Sequence, residues 1–299
     1  MNPSNPVYVI SKGRSKHCLT AKQLDLLGVP YYLVIEEQER KDYEAIGVFG
    51  EILILPFRDK GTSTPARNFC WEHSIQNGFD YHWIIDDNIE QFYRLNRNIK
   101  NKISNGAIFK AAEDFMARYT NVAMSGFNYE SFCKATDKVP PYILNTKLYS
   151  CILIKNDTPF RWEGKYNEDL HLCLRVLKSG LCTIQFNAFL AGKVTTQRMK
   201  GGNTDEFYRD EGTLKKSQFI EDEHPDIAKV VWKFNRWYHQ VDYSGFKDME
   251  LIFRDDYVQK NGDNNYGMEL VEVPDIKEFY KELLNQRQQE HDAKQPLLI

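Results

Sequence analysis

Two pairs of adjacent carboxylates and a short cationic loop are the residues in this sequence whose types and spacing suit catalysis. Asp86-Asp87-Asn88 follows the apolar run Trp83-Ile84-Ile85. Neighbouring carboxylates repel, so two of them at a strand end need a cation or donors to compensate them. A hard divalent ion bridging carboxylate and diphosphate oxygens would do this. A turn or helix cap is the plainer use of the same residues, but the strand feeding them into a sheet rim favours the ion. Glu168-Asp169 is the second pair. It follows Tyr166-Asn167 and opens an apolar-periodic stretch, which puts it at a helix N-terminus. The dipole there favours ionised carboxylates, and one so placed can take a proton from an acceptor hydroxyl. Capping by Asn167 or Asp169 is the alternative.

The cationic loop is Ser11-Lys12-Gly13-Arg14, joined by Arg58, Arg67 and Asn68. Cations and a glycine just after a first strand suit a nucleotide diphosphate, to which arginine gives bidentate contacts. The pattern is not G-x-G-x-x-G, which argues against a dinucleotide-dependent dehydrogenase. Lys200-Gly201-Gly202-Asn203, followed by Arg209 and Lys215-Lys216, reads either as a loop whose amides close over phosphates or as ordinary surface. Trp232-Lys233-Phe234-Asn235-Arg236-Trp237-Tyr238-His239 also has two readings. Aromatics interleaved with cations suit base stacking with phosphate contact, and the same run suits a core-facing amphipathic helix. His224 and His239 are candidates for a further metal or phosphate ligand, set against the commoner structural histidine.

These groups need a scaffold that gathers them. Apolar runs at 7–10, 31–35, 52–55 and 81–85 read as strands, with helical patterns at 20–27 and from Thr64 to about Gln76. Thr64 suits the N-cap, Pro65 suits N1, and Asn77-Gly78 suits the stop. This alternation predicts an α/β fold with a doubly wound, mostly parallel sheet flanked by helices. Ligands bind beyond the carboxyl ends of such strands, so residues 11–14, the loop near Arg58 and residues 86–88 should share one rim. Further along, helices are expected at 108–118 and 168–179, apolar segments at 122–124 and 148–154, and a strand at 182–186. A last amphipathic helix is expected near 276–286.

At 299 residues, with 42% hydrophobic and 27% charged, the chain can bury a substantial core. A net charge of -3 argues against coating nucleic acid by bulk electrostatics, and leaves room for a confined basic groove. The start, MNPSNPVYVI, lacks a basic region leading into an apolar stretch, so no signal peptide is expected. No run reaches the length of a membrane span. Six cysteines (Cys18, Cys70, Cys133, Cys151, Cys173 and Cys182) have no CxxC pairing and read as free buried thiols, consistent with the cytoplasm.

Taken in order, these motifs resemble a known family. The carriers are Val7-Tyr8-Val9-Ile10-Ser11-Lys12-Gly13-Arg14, Pro65-Ala66-Arg67-Asn68, Trp83 to Ile89, and Tyr166-Asn167-Glu168-Asp169 with the helix running to Gly180. Gly201-Gly202-Asn203 and Arg236…His239…Val241-Asp242-Tyr243 complete them. Over about residues 6–250 the chain resembles the phage-enriched TET/JBP-associated glycosyltransferases, enzymes of GT-A fold linked to sugar addition on hydroxymethylated pyrimidines in DNA. The resemblance implies a UDP-sugar donor, glucose being the expected sugar, and Mn²⁺ or Mg²⁺. It implies an acceptor hydroxymethyl on 5-hydroxymethylcytosine or 5-hydroxymethyluracil. Carried over by motif, Asp86, Asp87 and Asn88 would hold metal and donor, with His239 a further metal candidate. Glu168 or Asp169 would be the base. Ser11, Lys12, Gly13, Arg14, Arg58, Arg67, Asn68, Gly201, Gly202 and Asn203 would contact the donor. The expected organisation is a GT-A domain over 1–260 and a helical tail over 261–299, in the host cytoplasm if phage-encoded. Rival readings are a transferase acting on a glycan, lipid or protein, a sugar nucleotidyltransferase, or a catalytically silent nucleic-acid-binding module.

Overall fold

The computed structural model describes residues 1–58, 61–96, 98–134, 136, 139–194, 212–258 and 276–294. Strands β1 (Val7–Ile10), β2 (Tyr32–Glu36), β3 (Glu51–Leu55) and β4 (Tyr81–Asp86) pair in parallel, with Ile10 opposite Asp86. Between them run α1 (Leu19–Leu27), the short α2 (Arg40–Glu44) and α3 (Thr64–Gln76). This is the expected strand–helix alternation.

The chain then departs from the simple pattern. Asp87 and Asn88 form a tight turn straight into β5 (Ile89–Asn96), which pairs with β6 (Ile99–Lys102). After α4 (Ala107–Met116) come β7 (Val122–Tyr129), β8 (Tyr142–Leu144), β9 (Cys151–Lys155), α5 (Glu168–Lys178) and β10 (Cys182–Lys193). The ten-stranded sheet has the order β3-β2-β1-β4-β9-β7-β10-β5-β6, with β8 paired to β10. β9 is antiparallel between β4 and β7, so the sheet is mixed, parallel through β3-β2-β1-β4 and between β7 and β10, and flanked by helices in an α/β arrangement.

Side chains alternate across the strands, and both faces are covered. Val7, Val9, Trp83 and Ile85 pack with Leu24 of α1 and Phe109 of α4 on one face. Tyr8, Ile84 and Ile152 pack with Trp71 of α3 and Leu172 of α5 on the other. Burial on both sides explains why these strands read as near-continuous apolar runs rather than alternating ones. All six cysteines are buried with free thiols. Among the described residues, no helix is long and apolar enough to cross a membrane.

Two local expectations are corrected. Thr64 does not cap α3: its hydroxyl donates to the Gly164 carbonyl at 2.7 Å, and Ser63 Oγ donates to Glu168 Oε1 at 2.5 Å. The hydroxyls at this helix end are diverted to the loop that carries the second acidic pair. In that loop Gly164 lets Phe219 pack closely, since at φ +88° a Cβ there would meet the Phe219 ring at 2.3 Å.

The aromatic run is not a helix. It forms a hairpin of β11 (Ala228–Lys233) and β12 (Arg236–Val241), preceded by α6 (Gly212–Glu223). Leu170, Leu174 and Leu177 of α5 bury with Ile220, Ala228 and Phe246, fastening the hairpin base to the main domain. Its turn holds Phe234 at φ 56° and Asn235 at φ 57°. Such a two-residue turn matches strand twist but prefers Asn and Gly, and a phenylalanine in the left-handed region costs roughly 1–2 kcal/mol.

The last helix, α7 (Ile276–Lys294), runs past the expected end at 286. Its Leu283 is buried, and Phe49 stacks on His291 at 4.6 Å. The tail helix is therefore docked on the domain.

Candidate active site

The carboxyl ends of β1, β4 and β10 and the first turns of α3 and α5 border a cavity of about 790 Å³. Asp86, Asp87, Asn88, Glu168, Asp169 and Lys193 all line it. Residues as far apart in the chain as Asp86 and Lys193, separated by 107 positions, meet because strand ends and helix N-termini face the same rim.

The first acidic pair divides its two carboxylates between two environments. Asp86 Oδ1 accepts from Arg67 Nη2 at 3.1 Å, while Oδ2 accepts from Lys193 Nζ at 2.7 Å and Ser150 Oγ at 2.7 Å. Asp87 turns the other way, accepting from Arg14 Nη1 and Ser11 Oγ, each at 2.6 Å. Two like charges about 4 Å apart cost roughly 4 kcal/mol at an effective dielectric near 20, and each close cation returns a similar amount. Three cations around two carboxylates thus settle the repulsion read from the sequence. Burial alone would raise Asp86, but Lys193 and Arg67 outweigh it and hold the carboxyl well below the usual range. For Asp87, burial is the larger influence and raises the carboxyl, against the pull of Arg14 and Ser11.

The turn is pinned from both sides. Thr20 Oγ1 donates to the Asp86 carbonyl and accepts from the Ile89 amide. The Asn88 carbonyl accepts from the Val194 amide at 3.1 Å, and Asn88 Nδ2 donates to the Val194 carbonyl. Asn88 thereby brings the end of β10, with Lys193, against Asp86. Its own Oδ1 is buried with no hydrogen-bond partner among the described residues.

The second pair is divided differently. Glu168 Oε1 accepts from Ser63 Oγ and lies 3.4 Å from Arg67 Nε. Asp169 Oδ1 accepts from the Leu170 amide at 2.8 Å, and among the described residues no side chain donates to it. Burial, then the Glu168 charge, raise Asp169 to about 6 against the pull of Arg67. A carboxylate lifted toward neutrality in a cavity is suited to proton transfer. Arg67 joins both pairs, with its guanidinium 4.5 Å over the Trp162 ring and Nη1 buried without a hydrogen-bond partner among the described residues. An unpaired guanidinium donor calls for an anion.

The other expected residues fall in several places. Lys12 and Arg14 line the cavity. Ser11 acts one layer back, through Asp87 and a 2.6 Å bond with Tyr43. Gly13 gives its amide to Glu39 Oε1 at 2.5 Å. Arg58 is exposed at the same rim but does not line the cavity. Asn68 spends its side chain on the Trp162 backbone, donating to the carbonyl and accepting from the amide, each at 2.9 Å. Gly201, Gly202 and Asn203 lie outside the described residues. His239 lines the hairpin wall, 3.5 Å from Asn167 Nδ2, and burial lowers it to about 4, so it is neutral. His224 lies in a buried pair with His171 at 3.0 Å.

Lys193, Ser150 and Ser63 were missed in the sequence. Lys193 ends an apolar run whose reading stopped at Phe186, and following it through Leu190-Ala191 would have reached the lysine. Ser150 precedes an antiparallel strand, so only the sheet order brings it to the rim.

The model of the TET-Associated Glycosyltransferase family matches residues 5–202, a span holding both acidic pairs, Arg67 and Lys193. The chain belongs to this family. It is a glycosyltransferase. No curated protein matches the sequence. Among solved structures, CMP:2-keto-3-deoxy-manno-octonic acid synthetase complexed with CTP is 10% identical, with TM-score 0.38, over 61% of this chain and 89% of that one. The inositol-1-phosphate CTP transferase of T. maritima is 12% identical, with TM-score 0.35, over 64% of this chain and 89% of its own. The apo glycosyltransferase GlyE of Streptococcus pneumoniae TIGR4 is 10% identical, with TM-score 0.35, over 98% of this chain and 64% of its own. Likeness at that level carries no functional weight, and the assignment of this glycosyltransferase rests on the family match.

Proposed function

We propose that this glycosyltransferase moves a sugar, glucose being the expected one, from a UDP-sugar onto the hydroxymethyl group of 5-hydroxymethylcytosine or 5-hydroxymethyluracil in DNA. The observation that carries the reading is the contrast across the cavity. Asp169, raised to about 6, faces a wall where Lys193 and Arg67 gather on Asp86. The first group suits an acceptor hydroxyl, the second a departing diphosphate.

In this mechanism Asp169 takes the hydroxymethyl proton as its oxygen attacks the anomeric carbon. The bond from that carbon to the diphosphate oxygen breaks, and UDP leaves with the electron pair. A direct displacement of this kind inverts the anomeric centre. Arg67 and Lys193 stabilise the charge growing on the leaving oxygens. Arg14 and Lys12 serve the nucleotide side, with Ser11 and Asp87 holding Arg14 in place. Glu168 orients Arg67 and is anchored by Ser63.

The donor set for a hard divalent ion is small: among the described residues no three His, Cys, Asp or Glu side chains gather as a metal site, and Asp86 already accepts from Arg67, Lys193 and Ser150. Asp86 keeps a quarter of its side chain exposed, and Asn88 Oδ1, without a hydrogen-bond partner among the described residues, is a second oxygen of the right kind. Those two residues would hold Mn²⁺ or Mg²⁺, which when bound would neutralise the leaving diphosphate. Asp87 is sealed by Arg14 and Ser11, and His239 is bonded on the opposite wall.

The test is UDP release from UDP-sugars with Mn²⁺ or Mg²⁺, against duplex and single-stranded DNA carrying either hydroxymethyl base. Release dependent on the modified base supports the proposal. Absence of release with every donor on every DNA ends it, and release on a glycan or protein acceptor alone moves the enzyme to that substrate class.

A further inference from the structure

We propose that the β11–β12 hairpin is a nucleic-acid contact, in which Phe234 stacks on a base at the cavity mouth while Lys233 and Arg236 meet the flanking phosphates. The inference rests on the DNA acceptor named above only for the position of that base. Its support comes from the hairpin itself.

Three large apolar side chains stand in water here: Phe234 is 70% exposed, Trp232 60% and Trp237 41%. They sit on a two-stranded ribbon whose base is firmly built, with Ala228 buried against Ile220 and Leu174. The tip is therefore presented by a fixed support. The same tip carries the left-handed Phe234 noted above. Strained residues of this sort persist where surroundings or function demand the side chain, and among the described residues this ring packs into no core cluster. Its contacts are the Tyr238 edge at 5.8 Å and Lys233 Nζ at 5.3 Å from the ring centre.

Charge decides the kind of partner. Between positions 228 and 241 there are three cations, Lys229, Lys233 and Arg236, and no Asp or Glu, in a chain of net charge -3. An apolar protein partner or a neutral sugar chain would find aromatics without need of these cations. A polyanion with planar rings uses both, through base stacking and phosphate contact. Phe234, Arg236 and Trp237 also line the cavity that holds Asp169, so a strand seated on the hairpin passes the proposed base.

The experiment measures binding of a labelled 20-nucleotide DNA to the full chain by fluorescence anisotropy, over a salt series, alongside melting temperature. Phe234→Ala and Phe234→Gly should weaken binding by about tenfold, the order expected for one stacked base, while Phe234→Trp stays within about twofold. Phe234→Gly should melt no lower than wild type, because glycine accepts the left-handed turn. Arg236→Ala should lower the slope of log affinity against log salt by about one. Equal affinity of wild type and Phe234→Gly overturns the inference, as does wild-type protein that binds anionic vesicles but no oligonucleotide. UDP release is scored separately. Phe234-dependent DNA binding without sugar transfer leaves the hairpin inference standing and removes DNA modification. Transfer to DNA at unchanged kcat/KM in Phe234→Gly does the reverse.

Discussion

The two acidic pairs look alike in sequence, and the fold gives them different surroundings. At 86–87 the carboxylates separate, each meeting its own cations and hydroxyls. At 168–169 they stay electrostatically coupled, with Glu168 taking the hydroxyl of Ser63 and the near side of Arg67. Asp169 feels the pull of Arg67, but burial and the Glu168 charge outweigh it. In the proposed mechanism the carboxylate whose cations prevail organises the diphosphate side. The one whose burial and like charge prevail accepts the proton. The chemistry follows from which partners arrive, not from the acids themselves.

The largest expected effect breaks the contrast at its reactive end. Asp169→Asn should lower kcat by about 10³, within the range for loss of a general base, while UDP binding by calorimetry stays within about twofold. Next is Asp86→Asn, which leaves Lys193 and Arg67 without their carboxylate. Removing one member of a buried pair costs about 3–5 kcal/mol; Asp86 is 26% exposed, so a loss nearer 2 kcal/mol is expected by denaturant unfolding. Metal-dependent UDP binding should vanish with it.

Glu168→Gln tests whether the two members of the second pair differ. It should lower kcat only about tenfold, as a positioning residue for Arg67, and a fall as deep as that of Asp169→Asn would exchange their roles. The pH profile sharpens the same point. In the proposed mechanism Asp169 acts deprotonated, so kcat/KM should fall as pH drops through about 6. Glu168→Gln removes the like charge that helps raise Asp169, so the midpoint should move down. An unmoved midpoint would break the proposed coupling.

The smallest effect concerns stability away from the site. Burial lowers His82 to about 3 and His224 to about 4, so both stay neutral in the fold while the unfolded chain takes protons near 6.5. At these two sites the unfolded state then binds more protons below that pH, so their contribution to stability declines on acidification from about 6.5 toward 4, while Asp25 and Asp169, raised to about 6, act in the opposite sense. His82→Gln should flatten that decline in melting temperature by a few degrees.

Much of this was legible in the residues. The runs at 7–10, 52–55 and 81–85 emerged as β1, β3 and β4 because a sheet buried on both faces needs continuous apolar residues. Helix α3 starts at Thr64 and stops at Gln76 because Pro65 suits a first turn and Gly78, at φ +76°, suits an end. The aromatic run at 232–239 was ambiguous for a physical reason. Three exposed aromatics with interleaved cations fit a helix stripe or a ribbon equally, and only packing against α6 and α5 selects the ribbon.

What the sequence determined by itself was the strand-end position of Asp86-Asp87 and the helix-start position of Glu168-Asp169, since apolar periodicity and local capping chemistry act over a few residues. What the tertiary structure alone decided was the set of partners. Lys193 reaches Asp86 across 107 positions, and Ser63 reaches Glu168 across 105. Those meetings depend on sheet order and on an antiparallel β9 that no local pattern encodes. Because an ionisable group takes its character from neighbours within a few ångströms, the difference between the two pairs was settled only when the strands were laid side by side.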